Sequence, residues 1–236
     1  MNPSATLWTP PPVATVAVRG LRERAPVARL FFVGRNYHAH AVEMGRPVDK
    51  SAELPFYFTK SPSTLVESGA TVPYPPRTQN YHYEMELVVV IGKPGFRVAE
   101  ADAHELIYGY ACGLDMTRRD LQIASREKQR PWDLGKDVEH SAVIGRITPK
   151  ETFGPVAAQQ IQLRQNDVVK QTAHLTDLVW SVEEIISHLS GFYHLAPGDL
   201  IYTGTPSGVG PVAPGDRLVG TIDGLDPVEL AIGPAE

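Results

Sequence analysis

Leu87-Val88-Val89-Val90-Ile91 is as apolar as any run in the chain, and it is entered through two acids, Glu84 and Glu86. The stretch "EMELVVVIG" (84–92) reads as a strand bound for a core and stopped by "GKPG". In a strand, residues i and i+2 point to the same face. Glu84 and Glu86 therefore project together, while Met85 goes the other way. Two carboxylates side by side repel, and burying them unpaired is costly. Such a pair asks for a positive partner, and hard oxygen ligands suit Mg2+, Mn2+ or Ca2+. E-x-E alone more often marks a solvated strand face, so a third ligand matters. Asp115 ends "YGYACGLD", where a strand should emerge. The spacing leaves a second set open: His82, Glu84 and Glu86 on one face, which favours a transition metal.

The rest of the chain reads as a β-rich α+β fold with a few short helices. An extended, Pro-rich lead-in over 1–25 carries one short strand at Val13–Val18, and residues 26–236 form one domain without a linker. Strands are predicted for "RLFFVG" (29–34) and "LPFYFTK" (54–60). A helix over 36–45 closes at Gly45. The prolines of 71–83 make a loop and strand entry. Residues 99–115 begin as a short helix and end as a strand, 117–129 is helix-prone, and 168–180 is hairpin-like. Ser181 and Glu184 match a capping box, followed by an apolar stripe at Val182, Ile185, Ile186 and Leu189. "APGD" at 196–199 and 213–216 marks two strand entries.

A net charge of −5 argues against a nucleic-acid partner. Cys112 is the only cysteine, so no internal disulfide forms, and a cytoplasmic location is expected. The N-terminus lacks the pattern of a secretory signal, and no stretch approaches a membrane span.

Six motifs, "GRNYHAHAVEM", "FYFTKSPSTLV", "YHYEMELVVVIG", "LDMTRRDLQ", "PWDLGK" and "GDLIYTGTPSGVGP", come in an order that resembles the fumarylacetoacetate hydrolase family from about residue 29 to 232. The short chain is similar to the small bacterial members and acylpyruvases. The resemblance implies mixed strands rolled into a β-sandwich-like barrel and a homodimer. It implies a divalent metal, Mg2+ or Mn2+, held by Glu84, Glu86 and Asp115. It also implies hydrolytic C–C cleavage of a β-diketo acid.

His40 and Glu43 are three apart, so a helix places them on one side. A carboxylate that orients an imidazole and raises its basicity suits a general base. The resemblance implies that these two residues activate water; His38 does not match the motif. It implies further that Lys136, Arg119 and Gln122 contact the substrate and stabilise an alkoxide, as oxyanion donors do. Lys60 resembles a further site lysine, and Thr205 a contact to the substrate carboxylate. The loop around Thr205 lacks both nucleotide-binding glycine patterns.

"RPWDLGKDVEHSA" and "TRRDLQ" look most like fumarylpyruvate hydrolases of gentisate breakdown, which release fumarate and pyruvate. Arg118, Arg126, Arg130 and His38 are candidates to receive the far carboxylate of that substrate. The same site would also serve an acylpyruvase, an oxaloacetate decarboxylase or a catechol-pathway hydratase or isomerase. A non-catalytic ligand-binding member is the remaining class.

Overall fold

The structure, a computed structural model, describes residues 6–235. Its eight-stranded sheet runs in the order Phe56–Lys60, Arg29–Gly34, Asp199–Tyr202, Met85–Ile91, Ile107–Asp115, Ala142–Ile144 and Leu65–Glu67, with Thr148–Pro149 added beside Ile107–Asp115. A five-stranded sheet orders Val168–His174, Gln160–Gln165, Arg217–Ile222, Val228–Ala235 and Ala70–Tyr74. A small sheet joins Thr117–Arg118, Tyr81–Tyr83 and Gly210–Pro211. Strand directions are mixed: Asp199–Tyr202 is parallel to Arg29–Gly34 and antiparallel to Met85–Ile91. Short helices span His38–Glu43, Arg119–Glu127, Asp133–Lys136, Lys150–Phe153 and Val182–Ser190. This is the β-rich α+β class that the sequence implied.

Every residue of Met85–Ile91 is buried. Met85, Leu87, Val89 and Ile91 enter the main core with Ile161, Leu163, Leu218 and Leu230 of the five-stranded sheet. Val88 and Val90 point the other way, into a second cluster with Leu30, Phe32, Leu200 and Tyr202. A strand covered on both faces has no solvated side, which is why its apolar run is unbroken. Each large aliphatic side chain buried there contributes about 1.5–3 kcal/mol. The strand is thereby fixed in register, and so are the acids at its start.

The helix over Val182–Ser190 has both halves of its capping box: Ser181 Oγ accepts from Glu184 N at 3.2 Å, and Glu184 Oε2 accepts from Ser181 N at 2.7 Å. Its predicted apolar stripe is buried. The His38–Glu43 helix is shorter than the predicted 36–45, and Gly45 follows it at φ 69°, the left-handed stop expected of a C′ glycine. Thr15–Ala17 of the expected lead-in pairs with Arg24–Pro26, which crosses its end at 25, and residues 1–5 lie outside the described residues.

Two local expectations need correction. Residues 168–180 are not a hairpin. Val168–His174 pairs instead with Gln160–Gln165, through a turn in which Asn166 and Asp167 both have positive φ (50° and 65°). That backbone suits a tight hairpin turn, and 175–177 then coils into a 3-10 turn. Residues 70–74 form a strand despite Pro73. The strand lies at the edge of its sheet, where a missing N–H leaves no ladder partner wanting. Among the described residues, no helix is long and apolar enough to cross a membrane.

Candidate active site

Strand register assembles the acids. Met85 faces Leu114 and Glu86 faces Gly113 across an antiparallel pair. One step further, Asp115 N donates to Glu84 O at 2.9 Å. Asp115 thus lies opposite Glu84 and diagonal to Glu86, with all three on one face. One carboxylate oxygen from each lies within 4.8 Å of the others, and all three residues are buried. Glu84 stands where the chain leaves Tyr81–Tyr83 for Met85–Ile91, and Asp115 ends its own strand. His82 does not join them; its Nε2 meets Asn80 Oδ1 at 2.7 Å.

Three cations surround the acids. Lys136 Nζ reaches Glu84 Oε2 at 2.8 Å, Asp115 Oδ2 at 2.5 Å and Thr117 Oγ1 at 2.7 Å. Arg119 pairs with Glu84 through Nη2, and its Nη1 donates to Gln122 Oε1 at 2.5 Å. Lys60 Nζ is 2.6 Å from Asp115 Oδ1. Its protons, however, are directed to Met116 O, Ser141 O and Ser141 Oγ. Asp115 Oδ1 is therefore a buried oxygen without a hydrogen-bond donor. Burial alone would raise the Glu84 carboxyl, but Lys136, Arg119 and His40 hold it well below the usual range. Glu86 is placed differently. It receives Gly204 N at 2.7 Å, while burial, Asp115 and Glu84 push its carboxyl well above the usual range. A carboxylate oxygen without a hydrogen-bond donor and a second under-compensated acid, in a cluster whose oxygens lie within 4.8 Å of one another, fit a hard divalent cation.

Glu84 and Glu86 open onto one cavity, also lined by His40, Arg119, Gln122, Lys136 and Thr205. Arg119 and Gln122 share a helix face at i and i+3, as predicted. The Asp133–Lys136 helix packs hard against them: a Cβ on Gly135 would lie 2.8 Å from Gln122 N, so only glycine allows the approach that brings in Lys136. His40 Nδ1 is 3.1 Å from Glu43 Oε2, and Glu43 Oε1 accepts from Gly208 N at 3.0 Å. A carboxylate only accepts, so Nδ1 carries the proton and Nε2 keeps its lone pair. Burial pushes the imidazole below its usual value, which keeps it neutral near pH 7.

Two residues expected at the substrate lie off the cavity. Lys60 is buried beneath Asp115, and Arg118 donates to Pro76 O at 3.1 Å. Of the other cations considered for a far carboxylate, Arg126 lines the cavity, Arg130 lines a neighbouring groove, and His38 lines a separate one. Sequence reasoning missed Gln171, a buried glutamine on a mostly exposed strand. Its Oε1 accepts from Met85 N at 3.0 Å, and its Nε2 donates to Thr205 Oγ1 at 2.8 Å and Pro206 O at 2.7 Å. It also missed Asn36, whose side chain ties Trp180 to Thr203 O behind the cavity. Neither lies in a pattern that spacing could reveal. Arg35 and Arg46 line the cavity too.

Residues 29–232 match the fumarylacetoacetate (FAA) hydrolase C-terminal family. A fumarylpyruvate hydrolase of Ralstonia sp is 63% identical over 194 residues, covering 82% of this chain and 100% of the relative. A mitochondrial oxaloacetate tautomerase of Mus musculus is 37% identical over 193 residues, covering 82% of this chain and 86% of the relative. The crystal structure of fumarylpyruvate hydrolase from Pseudomonas aeruginosa in complex with Mn2+ and pyruvate superposes with a TM-score of 0.92 at 43% identity, covering 98% of this chain and 100% of that one. By family match, sequence and fold, the chain belongs to the fumarylacetoacetate hydrolase family.

Proposed function

We propose that this protein is a metal-dependent hydrolase that cleaves fumarylpyruvate to fumarate and pyruvate in gentisate-type aromatic breakdown. The observation that carries the reading is a buried three-carboxylate cluster, two of whose acids line one cavity together with a neutral histidine backed by a carboxylate. The similarity to fumarylpyruvate hydrolases supports the choice of substrate.

Glu84, Glu86 and Asp115 would hold the divalent ion, Mg2+ or Mn2+ with Ca2+ as a third candidate, and when bound it supplies Lewis-acid polarisation to the keto-acid end of the substrate. His40 Nε2 takes a proton from water, and Glu43 steadies the imidazolium that results. The hydroxide adds to the distal ketone carbon. Gln122 Oε1 is held by Arg119, so its Nε2 is free to donate to the alkoxide, with Lys136 adding positive charge beside it. The C–C bond then breaks, its electrons pass into the enolate of pyruvate, and a proton completes the product. Thr205 Oγ1 accepts from Gln171, which leaves its own proton for a substrate carboxylate. Lys60 acts from below by partnering Asp115. A homodimer and a cytoplasmic location complete the reading.

The test is loss of diketone absorbance with fumarylpyruvate, acetylpyruvate and oxaloacetate, before and after chelation and with Mg2+ or Mn2+ restored. Metal-dependent loss, fastest with fumarylpyruvate, is expected. A preference for the short substrates would overturn the substrate assignment. No reaction with any of them would overturn the enzymatic one.

A further inference from the structure

The cavity has a second pole. The Arg119–Glu127 helix presents Arg119, Gln122 and Arg126 to it, at i, i+3 and i+7 of one face. Arg119 and Gln122 stand at the acid cluster. At 1.5 Å per residue, Arg126 sits about 10 Å further along the axis. Arg46 reaches the same cavity from the loop after the His38–Glu43 helix.

These two arginines differ from the other cations of the cavity. Arg119 and Lys136 are bonded to Glu84. Arg35 is paired with Glu53 at 2.5 Å. Among the described residues, Arg46 and Arg126 have no ion pair and no side-chain hydrogen bond. Their charge is left for something the cavity holds. The cavity also has an aromatic wall: Phe56 meets Trp132 edge-on and Phe58 meets it at a tilt, with ring centroids 5.5 and 5.9 Å apart.

We infer that Arg126 and Arg46 form a second carboxylate-binding pole, which makes the site select acylpyruvates with a carboxylate at each end over those with only one. The inference rests on the fumarylpyruvate reading. A guanidinium binds a carboxylate through two parallel N–H donors, which fixes both the length and the end-to-end orientation of the substrate. The apolar wall suits a planar unsaturated chain. A monoanionic acylpyruvate reaches the acid cluster but leaves the second pole unanswered.

The test compares kcat/KM for fumarylpyruvate and acetylpyruvate in wild type, R126M, R46M and the double variant. The fumarylpyruvate-to-acetylpyruvate ratio should fall about 10- to 100-fold in the double variant. It should recover in part when lysine replaces each arginine, and stay at the wild-type value in R130M, whose arginine lies in the neighbouring groove. An unchanged ratio in the double variant, or an equal fall in R130M, would overturn the inference. Should wild type cleave neither substrate, the functional reading fails. The pole is then tested by calorimetric binding of both compounds to the Mn2+-loaded protein. A preference for the dianion that vanishes in the double variant supports it, and a preference that survives, or none in wild type, overturns it.

Discussion

The acid cluster and the His40–Glu43 pair reach the same cavity, through Glu84 and Glu86 and through His40, but are built in opposite ways. Glu84, Glu86 and Asp115 start or end strands whose interiors are packed into two cores. His40 and Glu43 sit on a six-residue helix without a side-chain cap, tied to the opposite loop by the Gly208 N–Glu43 Oε1 bond. The sheet holds repelling charges at fixed distance, which is what a cation site requires. Under the proposed mechanism the sheet would hold an ion at set distances, and the helix would move a proton.

The comparison breaks first at the acids. Asp115 is clasped by two buried lysines, so Asp115→Asn leaves them short of countercharge and should destabilise the fold by about 3–5 kcal/mol, measured by denaturant unfolding in chelator. Glu86 is the opposite case. Burial and its acidic neighbours push its proton on, so Glu86→Gln should keep or raise the melting temperature of the metal-free protein while abolishing divalent-ion binding in calorimetry. The pH dependence follows from the same asymmetry. The folded Glu86 carboxyl holds its proton to higher pH than the unfolded one. Its contribution to stability is therefore present at low pH and lost as pH rises through the folded value. Chelation should cost more stability at high pH than at low pH in wild type, and the slope should flatten in Glu86→Gln.

At the helix the effect moves from stability to rate. Glu43→Gln keeps an oxygen acceptor for His40 Nδ1–H but removes the negative charge that steadies the imidazolium, and kcat should fall about 100-fold. Metal affinity and melting temperature should stay close to wild type. A kcat that does not change, with the metal still bound, would remove Glu43 from the water-activating role.

Much of the sheet half was legible because its signals are periodic or local. Spacing gave the shared face of Glu84 and Glu86, and a strand end gave Asp115. What spacing lacked was the countercharge. It asked for one cation between two acids, whereas the fold supplies Lys60, Lys136 and Arg119 from three distant segments. The order of motifs named those residues as substrate contacts, yet only register and burial show that they neutralise the acids. The continuous run 87–91 signalled a strand but not its two cores, which become visible only when Val88 and Leu87 are found in different clusters. Gln171 was illegible for the same reason. Its importance lies in joining Met85 N to the Thr205 loop, a contact between residues 86 positions apart. Gln171→Ala should leave Met85 N buried and unsatisfied, lower stability by about 1–3 kcal/mol, and raise KM more than it lowers kcat.

The smallest expected effect tests adjacency itself. Arg118 and Arg119 are neighbours in sequence but belong to different elements. Arg118 ends a two-residue strand paired with Tyr81, and Arg119 starts the helix. That change of element sends one guanidinium to Pro76 O, outside the cavity, and the other to Glu84 and Gln122 within it. Arg118→Met should therefore leave kcat/KM for fumarylpyruvate within about two-fold, because one hydrogen bond to a loop carbonyl is worth about 1 kcal/mol and does not bear on the site. Arg119→Met removes a partner of a buried carboxylate and the group that orients Gln122, and should lower kcat by about 100-fold or more. A large loss in Arg118→Met would mean that the strand, and not the helix, carries the guanidinium that meets substrate.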